Sequence, residues 1–122
     1  MAKPIQWEAM NQEALFRWAF YEAAEIPELR LLFHIPNGGR RDAKEAHFLK
    51  LQGVKAGVPD LFLPVARGKW HGLFIEMKHG KNNPTESQRE WFENLHKQGY
   101  AVVVCYGWEK AAETLKLYIQ EG

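Results

Sequence analysis

The stretch Gly57-Val58-Pro59-Asp60-Leu61-Phe62-Leu63, read together with Leu73-Phe74-Ile75-Glu76-Met77-Lys78, decides how this chain folds. An Asp stands at the mouth of one apolar run, and a Glu-x-Lys stands at the far end of the other. Asp60 and Glu76 lie symmetrically about Gly68. An antiparallel hairpin turning at Arg67-Gly68-Lys69 therefore sets the two carboxylates opposite each other. Lys78 lies two residues past Glu76, and the period of a strand returns it to the same face. Two carboxylates and an amine then converge at one sheet edge. Such a set can hold a divalent cation and activate a water beside a phosphate. The competing reading is three solvated charges flanking strands. The same-face geometry, which follows from the spacing, favours the metal site. Gly57-x-Pro59 can shape the backbone just before the strand.

Working outward, the hairpin spans Asp60–Val65 and Gly72–Lys78. Leu61, Leu63, Leu73 and Ile75 fall on one face, with Phe62 and Phe74 on the other. A sheet apolar on both faces is covered on both. Upstream, Trp7, Met10, Ala14, Leu15, Trp18 and Tyr21 recur at helical spacing over 6–24, and Pro27 marks the exit. Leu29–Ile35 reads as a strand closed by Pro36-Asn37-Gly38-Gly39. Arg41 to Leu51 reads as a helix that ends at Gly53. Downstream, Thr85 opens a helix through Lys97, with Gly99 past its end. Ala101–Tyr106 is a strand, and Trp108 to Ile119 a last helix. The order is α-β-α-β-β-α-β-α. Trp91, Phe92, Leu95 and Trp108 are expected in the core.

A chain of 122 residues reads as one domain, 1–122, and 46% hydrophobic residues suffice for a proper core. The one Cys, Cys105, sits inside an apolar run as a small buried hydrophobe, which argues against a disulfide scaffold or a thiolate zinc site. No signal peptide is visible, and no apolar run approaches the ~20 residues that span a bilayer. A cytoplasmic, soluble protein with no membrane partner is expected. The net charge is only +1, so no global basic field advertises nucleic acid. The charge is uneven, however. Arg40, Arg41, Lys44, Lys50 and Lys55 stand against Asp42 and Glu45, and Lys78, His79 and Lys81 cluster beside the proposed metal site. A charge run is usually a solvated face; its adjacency to a phosphate-cutting site favours a DNA track. His47, His71, His79 and His96 show no metal-ligand spacing with Cys or with one another.

The element order, with Asp at the second strand and Glu-x-Lys at the third, resembles the PD-(D/E)xK nuclease superfamily. Within it, the chain is similar to the VRR-NUC family, and to its small stand-alone members from phages and prophages. The matching pieces are His34-x-Pro36-Asn37-Gly38-Gly39-x-Arg41, Gly53-Val54-x-x-Gly57-Val58-Pro59-Asp60, Gly72-Leu73-x-Ile75-Glu76-x-Lys78 and Gln88-x-x-Trp91. Each is weak alone; in this order and spacing they are specific. The resemblance implies an α/β restriction-endonuclease-like core, α-β-β-β-α-β, with a mixed central sheet flanked by helices.

The resemblance also implies Mg²⁺ or Mn²⁺ on Asp60, Glu76 and the Met77 carbonyl. Lys78 then orients the water or neutralises phosphate charge; carboxylates beside it favour the ammonium, so a general-base role is disfavoured. The family carries a Glu followed by Gln four residues on, which Glu8 and Gln12 match on one helix face. Glu13 is the fallback, although it points about 140° from Glu8. Gln88 has two readings: a catalytic role near the metal, and a capping box with Thr85. His34, at a strand end, is more often structural than a ligand. Asn37, Arg40, Arg41, Lys44, Lys55 and Lys81 are candidates for the DNA backbone.

The core elements consume the chain, which leaves little room for a separate target reader. DNA shape is therefore the expected determinant. A C2 homodimer supplies the two active sites that paired cuts at a four-way junction need. The expectation is a structure-specific endodeoxyribonuclease, resembling a Holliday junction resolvase. If phage-encoded, it works in the host cytoplasm. The alternatives are a nonspecific or nicking restriction-like nuclease and a catalytically inactive DNA-binding module.

Overall fold

The hairpin forms with the pairing that the spacing demands. β2 (Leu61–Leu63) and β3 (Leu73–Lys78) are antiparallel, with Leu61 opposite Ile75 and Leu63 opposite Leu73. One step further along the same register, Asp60 faces Glu76. The turn is tighter than expected and lies between Gly68 and Lys69, closed by reciprocal backbone bonds of 3.0 and 2.8 Å between Arg67 and Trp70. Gly68 takes φ +55°, and positive φ at the first central residue alone is the type II′ pattern. Pro64–Ala66 then lie opposite only His71 and Gly72, so a bulge absorbs the extra residue. β2 is accordingly shorter than expected. Pro64 has no N–H for the ladder, and the Val65 N–H folds back to the Leu63 carbonyl at 2.9 Å.

The computed structural model describes residues 4–36 and 42–121, so the expectations for Asn37, Arg40 and Arg41 lie outside the described residues. The remaining elements are α1 (Pro4–Glu22), a 3₁₀ helix (Pro27–Leu31), β1 (Phe33–His34), α2 (Ala43–Leu51), α3 (Glu86–Lys97), β4 (Ala101–Tyr106) and α4 (Trp108–Gln120). Strand order is β1-β2-β3-β4, with only β3 and β4 parallel. The sheet is mixed, and α3 is the crossover that a parallel pair requires.

The first three residues of the expected strand over 29–35 are instead the end of a 3₁₀ helix. Pro27 sits at its start, and the buried residues Leu29 and Leu32 are three apart, the period of that helix rather than of a strand. Only Phe33 and His34 pair with β2.

One face of the sheet carries Leu61, Leu63, Leu73, Ile75, Met77 and Cys105, buried in one core with α1 and α4. On α1 the helical period was legible, and Leu15 and Trp18 of the expected stripe meet the core. The buried stripe is Leu15, Ala19 and Ala23, while Met10 and Tyr21 are exposed. Alanines let α1 lie close to its neighbours. The opposite face carries Phe62 and Phe74, stacked at 4.2 Å, with Phe33 and Tyr100 edge-on to them. α3 lies along β4 without burying a residue. Trp91, Phe92 and Leu95 are only half-buried, because that helix leaves its outer side in water. Trp108 is partly buried against the core.

Candidate active site

Asp60 is held from two sides. β2 stops at Leu61, so the Met77 N–H of β3 has no ladder partner; Asp60 Oδ2 accepts from it at 2.8 Å. The Asp60 carbonyl accepts from the Ile35 N–H at 2.7 Å and lies 3.0 Å from His34 Nδ1. The approach to Asp60 is shaped by Gly57, at φ +93°. A Cβ there would come within 2.5 Å of Ser87 Oγ and 2.9 Å of Trp91, so only glycine lets this loop lie against α3.

Glu76 is 3% exposed. Its Oε2 accepts from Gln88 Nε2 at 3.2 Å and lies 3.6 Å from Lys78 Nζ. Its Oε1 is buried and has no hydrogen-bond partner among the described residues. Lys78 Nζ donates to Gln88 Oε1 at 2.7 Å. Gln88 Oε1 also accepts from the Thr85 N–H at 2.9 Å, and Thr85 Oγ1 accepts from the Gln88 N–H at 3.2 Å. The expected capping box is present, and the same Gln88 side chain reaches Glu76 and Lys78.

Burial pushes the Glu76 carboxyl up to about 8, and the Asp60 charge beside it pushes the same way. Burial also raises Asp60, against the Met77 N–H, His34, the Glu76 carboxyl beside it and Lys78, which favour its charged form. Two carboxylates that resist ionising together, one with an orphaned oxygen, form a donor set that suits a hard divalent cation. Among the described residues no group of three or more His, Cys, Asp or Glu side chains gathers as a metal cage. A pair of carboxylates with waters is the usual magnesium arrangement.

The site thus unites Asp60, Glu76, Met77, Lys78 and Gln88, and has His34 at its margin. Glu8 and Glu13 are exposed on α1 and Gln12 is half-buried; among the described residues none of the three bonds to the site. Trp7, beside Glu8, stands 4.3 Å from the ring of His79, which follows Lys78. Lys44, Lys55 and Lys81 are exposed, and α2 has no buried residue. Ser87, whose contact seats the Gly57 loop on α3, escaped the sequence reading; the Gly-x-Pro before Asp60 was its only signal.

A mixed sheet with helices on both faces, and an acidic pair with a lysine at adjoining strand ends, defines a restriction-endonuclease-like fold of nuclease type. The chain belongs to the VRR-NUC family: the VRR-NUC domain matches residues 4–109. A solved structure titled "VRR_NUC domain protein" is similar, with a TM-score of 0.79 and 34% sequence identity over 95% of this chain and 90% of that one. No curated protein matches. Membership implies a nuclease-type function with DNA as substrate, and VRR-NUC nucleases are generally metal-dependent. Among the described residues no helix is long and apolar enough to cross a membrane.

Proposed function

We propose that the protein is a Mg²⁺- or Mn²⁺-dependent endodeoxyribonuclease of the PD-(D/E)xK type that cuts branched DNA as a homodimer. The observation that carries the reading is the buried, unpartnered Glu76 Oε1 beside the Asp60 carboxylate, with Lys78 held on the same face. Asp60, Glu76 and the Met77 carbonyl would hold the cation. When bound, it lowers the pKa of a coordinated water and offsets charge building on the phosphate. Lys78 presents its ammonium where a phosphate oxygen or the attacking water would sit. Glu8, with Gln12 on the same face, completes the outer shell, Glu13 being the alternative. Asn37, Arg40, Arg41, Lys44, Lys55 and Lys81 bind the DNA backbone.

One active site cuts one strand, so symmetric cuts at a four-way junction need two copies. The working compartment is the cytoplasm, that of the host if the chain is phage-encoded. The test is cleavage of a four-way junction and of a linear duplex of the same sequence, with Mg²⁺ and with EDTA. Faster, EDTA-sensitive cutting of the junction is expected, with light scattering giving about twice the 14.2 kDa chain mass. A strict monomer without junction preference would overturn the branched-DNA part in favour of a nicking enzyme. Absence of any cation-dependent cutting would overturn the nuclease reading.

A further inference from the structure

A capping box accepts Glu as readily as Gln at its fourth position, because either side chain can reach back to the cap N–H. The cap alone therefore leaves unexplained why α3 carries Gln88. The site supplies a reason. Three groups surround the end of this side chain: the Thr85 N–H and the Lys78 ammonium, both donors, and Glu76 Oε2, an acceptor. An amide has one donor end and one acceptor end. Only one orientation fits, with Oε1 taking both donors and Nε2 giving to Glu76. The flipped amide would turn its NH₂ toward the N–H and the ammonium. A Glu would accept from Thr85 and Lys78 but offer nothing to Glu76. An Asn would fall short.

We propose that Gln88 is a positioning residue whose amide, oriented by the Thr85 cap, ties Lys78 to Glu76 in the geometry that DNA cleavage uses. The inference rests on the nuclease reading above. Lysine carries its charge on a flexible four-carbon stem. Two acceptors, Gln88 Oε1 at 2.7 Å and Glu76 Oε2 at 3.6 Å, limit where that charge can go. The start of α3 thereby sets the lysine of β3. Gln88 acts through Glu76 and Lys78, as outer partners of ligating carboxylates do.

Gln88→Glu separates this role from capping, since it keeps the cap and an acceptor for Lys78 while removing the donor to Glu76. With Mg²⁺ present, Gln88→Glu should melt near the wild-type temperature. Its kcat on a DNA substrate should fall about tenfold or more, the usual effect of losing an outer-shell partner, with KM for DNA little changed. Gln88→Met removes both polar ends. In metal-free protein carrying ¹⁵N-lysine, the Lys78 ammonium should give a slowly exchanging signal in wild type that Gln88→Met loses. If wild type cuts DNA and Gln88→Glu cuts at the same rate, Gln88 is a helix cap only and the inference falls. If wild type cuts no DNA, the nuclease reading fails instead. In that case, or if Gln88→Glu melts well below wild type, the Lys78 signal decides: its loss in Gln88→Met supports the positioning role, and its persistence overturns it.

Discussion

Glu76→Gln tests the electrostatics of the site without any substrate. Burial first, and the Asp60 charge second, push the Glu76 carboxyl from 4.5 up to about 8 in the metal-free protein. Below pH 4.5 the folded and unfolded chains both carry the proton, and the group contributes no difference. Between 4.5 and about 8 the folded chain keeps a proton that the unfolded chain has released, so stability falls as pH rises. Above that window both are ionised and the penalty is constant. At about 1.36 kcal/mol per pH unit, the ceiling across the window is about 5 kcal/mol. Water reaching the newly formed charge keeps the realised loss below that ceiling, at about 2 kcal/mol. For a chain this long that lowers the melting temperature by about 8 °C.

Glu76→Gln keeps an acceptor for Gln88 and removes the titration. Its melting temperature should be flatter between about pH 5.5 and about 8, inside that window, and higher than wild type at the upper end. Scanning calorimetry in EDTA measures both proteins, and the difference between them cancels the histidines. Added Mg²⁺ should restore the wild type, by about 2.7 kcal/mol at a hundredfold excess over its dissociation constant, and leave the variant nearly unmoved. A wild-type melting temperature that is flat or rises across the window would refute the reasoning. So would a Glu76→Gln protein no more stable than wild type at its upper end.

The other predictions concern the chain with DNA. Asp60→Ala and Lys78→Ala should each abolish cutting in a plasmid assay while far-ultraviolet circular dichroism stays native; near-wild-type activity in either would remove that residue from the mechanism. Glu8→Gln should reduce Mn²⁺-dependent cleavage far more than Glu13→Gln, because only Glu8 shares a helix face with Gln12, and Mn²⁺ titrations of the two variants rank them. Replacing Arg40, Arg41 and Lys44 with Gln should weaken DNA binding on every sequence and flatten its salt dependence by up to ~0.9 per lost phosphate contact. Fluorescence anisotropy across a salt series reads that slope, and an unchanged slope returns the segment to a solvated face.

What the sequence made legible was local spacing. The symmetry about Gly68 placed Asp60 opposite Glu76 through two departures that cancel: the turn centres between Gly68 and Lys69, which alone would set Asp60 against Met77, and the bulge at Pro64–Ala66 shifts the register back by one residue. The phase of α1 was legible only in part: Leu15 and Trp18 meet the core, but Met10 and Tyr21, as apolar as the residues that are buried, are exposed. Ala19 and Ala23 lie beside Leu29 and Leu32 at the 3₁₀ helix, a neighbour that spacing along α1 does not announce.

The start of α4 poses the same problem. Gly107, at φ +97°, has no side chain with which to cap the helix. Asn11 of α1 supplies the cap from across the fold: its Oδ1 accepts from the Trp108 N–H at 3.0 Å, and its Nδ2 donates to the Trp7 carbonyl at 3.1 Å. The sequence shows that Gly107 brings no side-chain acceptor, although glycine is itself a favoured N-cap residue. The acceptor's identity lies 97 residues away and follows from helix packing alone. The consequence reaches the site. Asn11 ties the first turns of α1 to α4, and Trp7 stands against His79, next to Lys78. The distance from Glu8 to the acidic pair is therefore set by these long-range contacts. Spacing along α1 can say that Glu8 and Gln12 share a face; only the packing of Trp7 and Asn11 decides how near that face comes to Lys78.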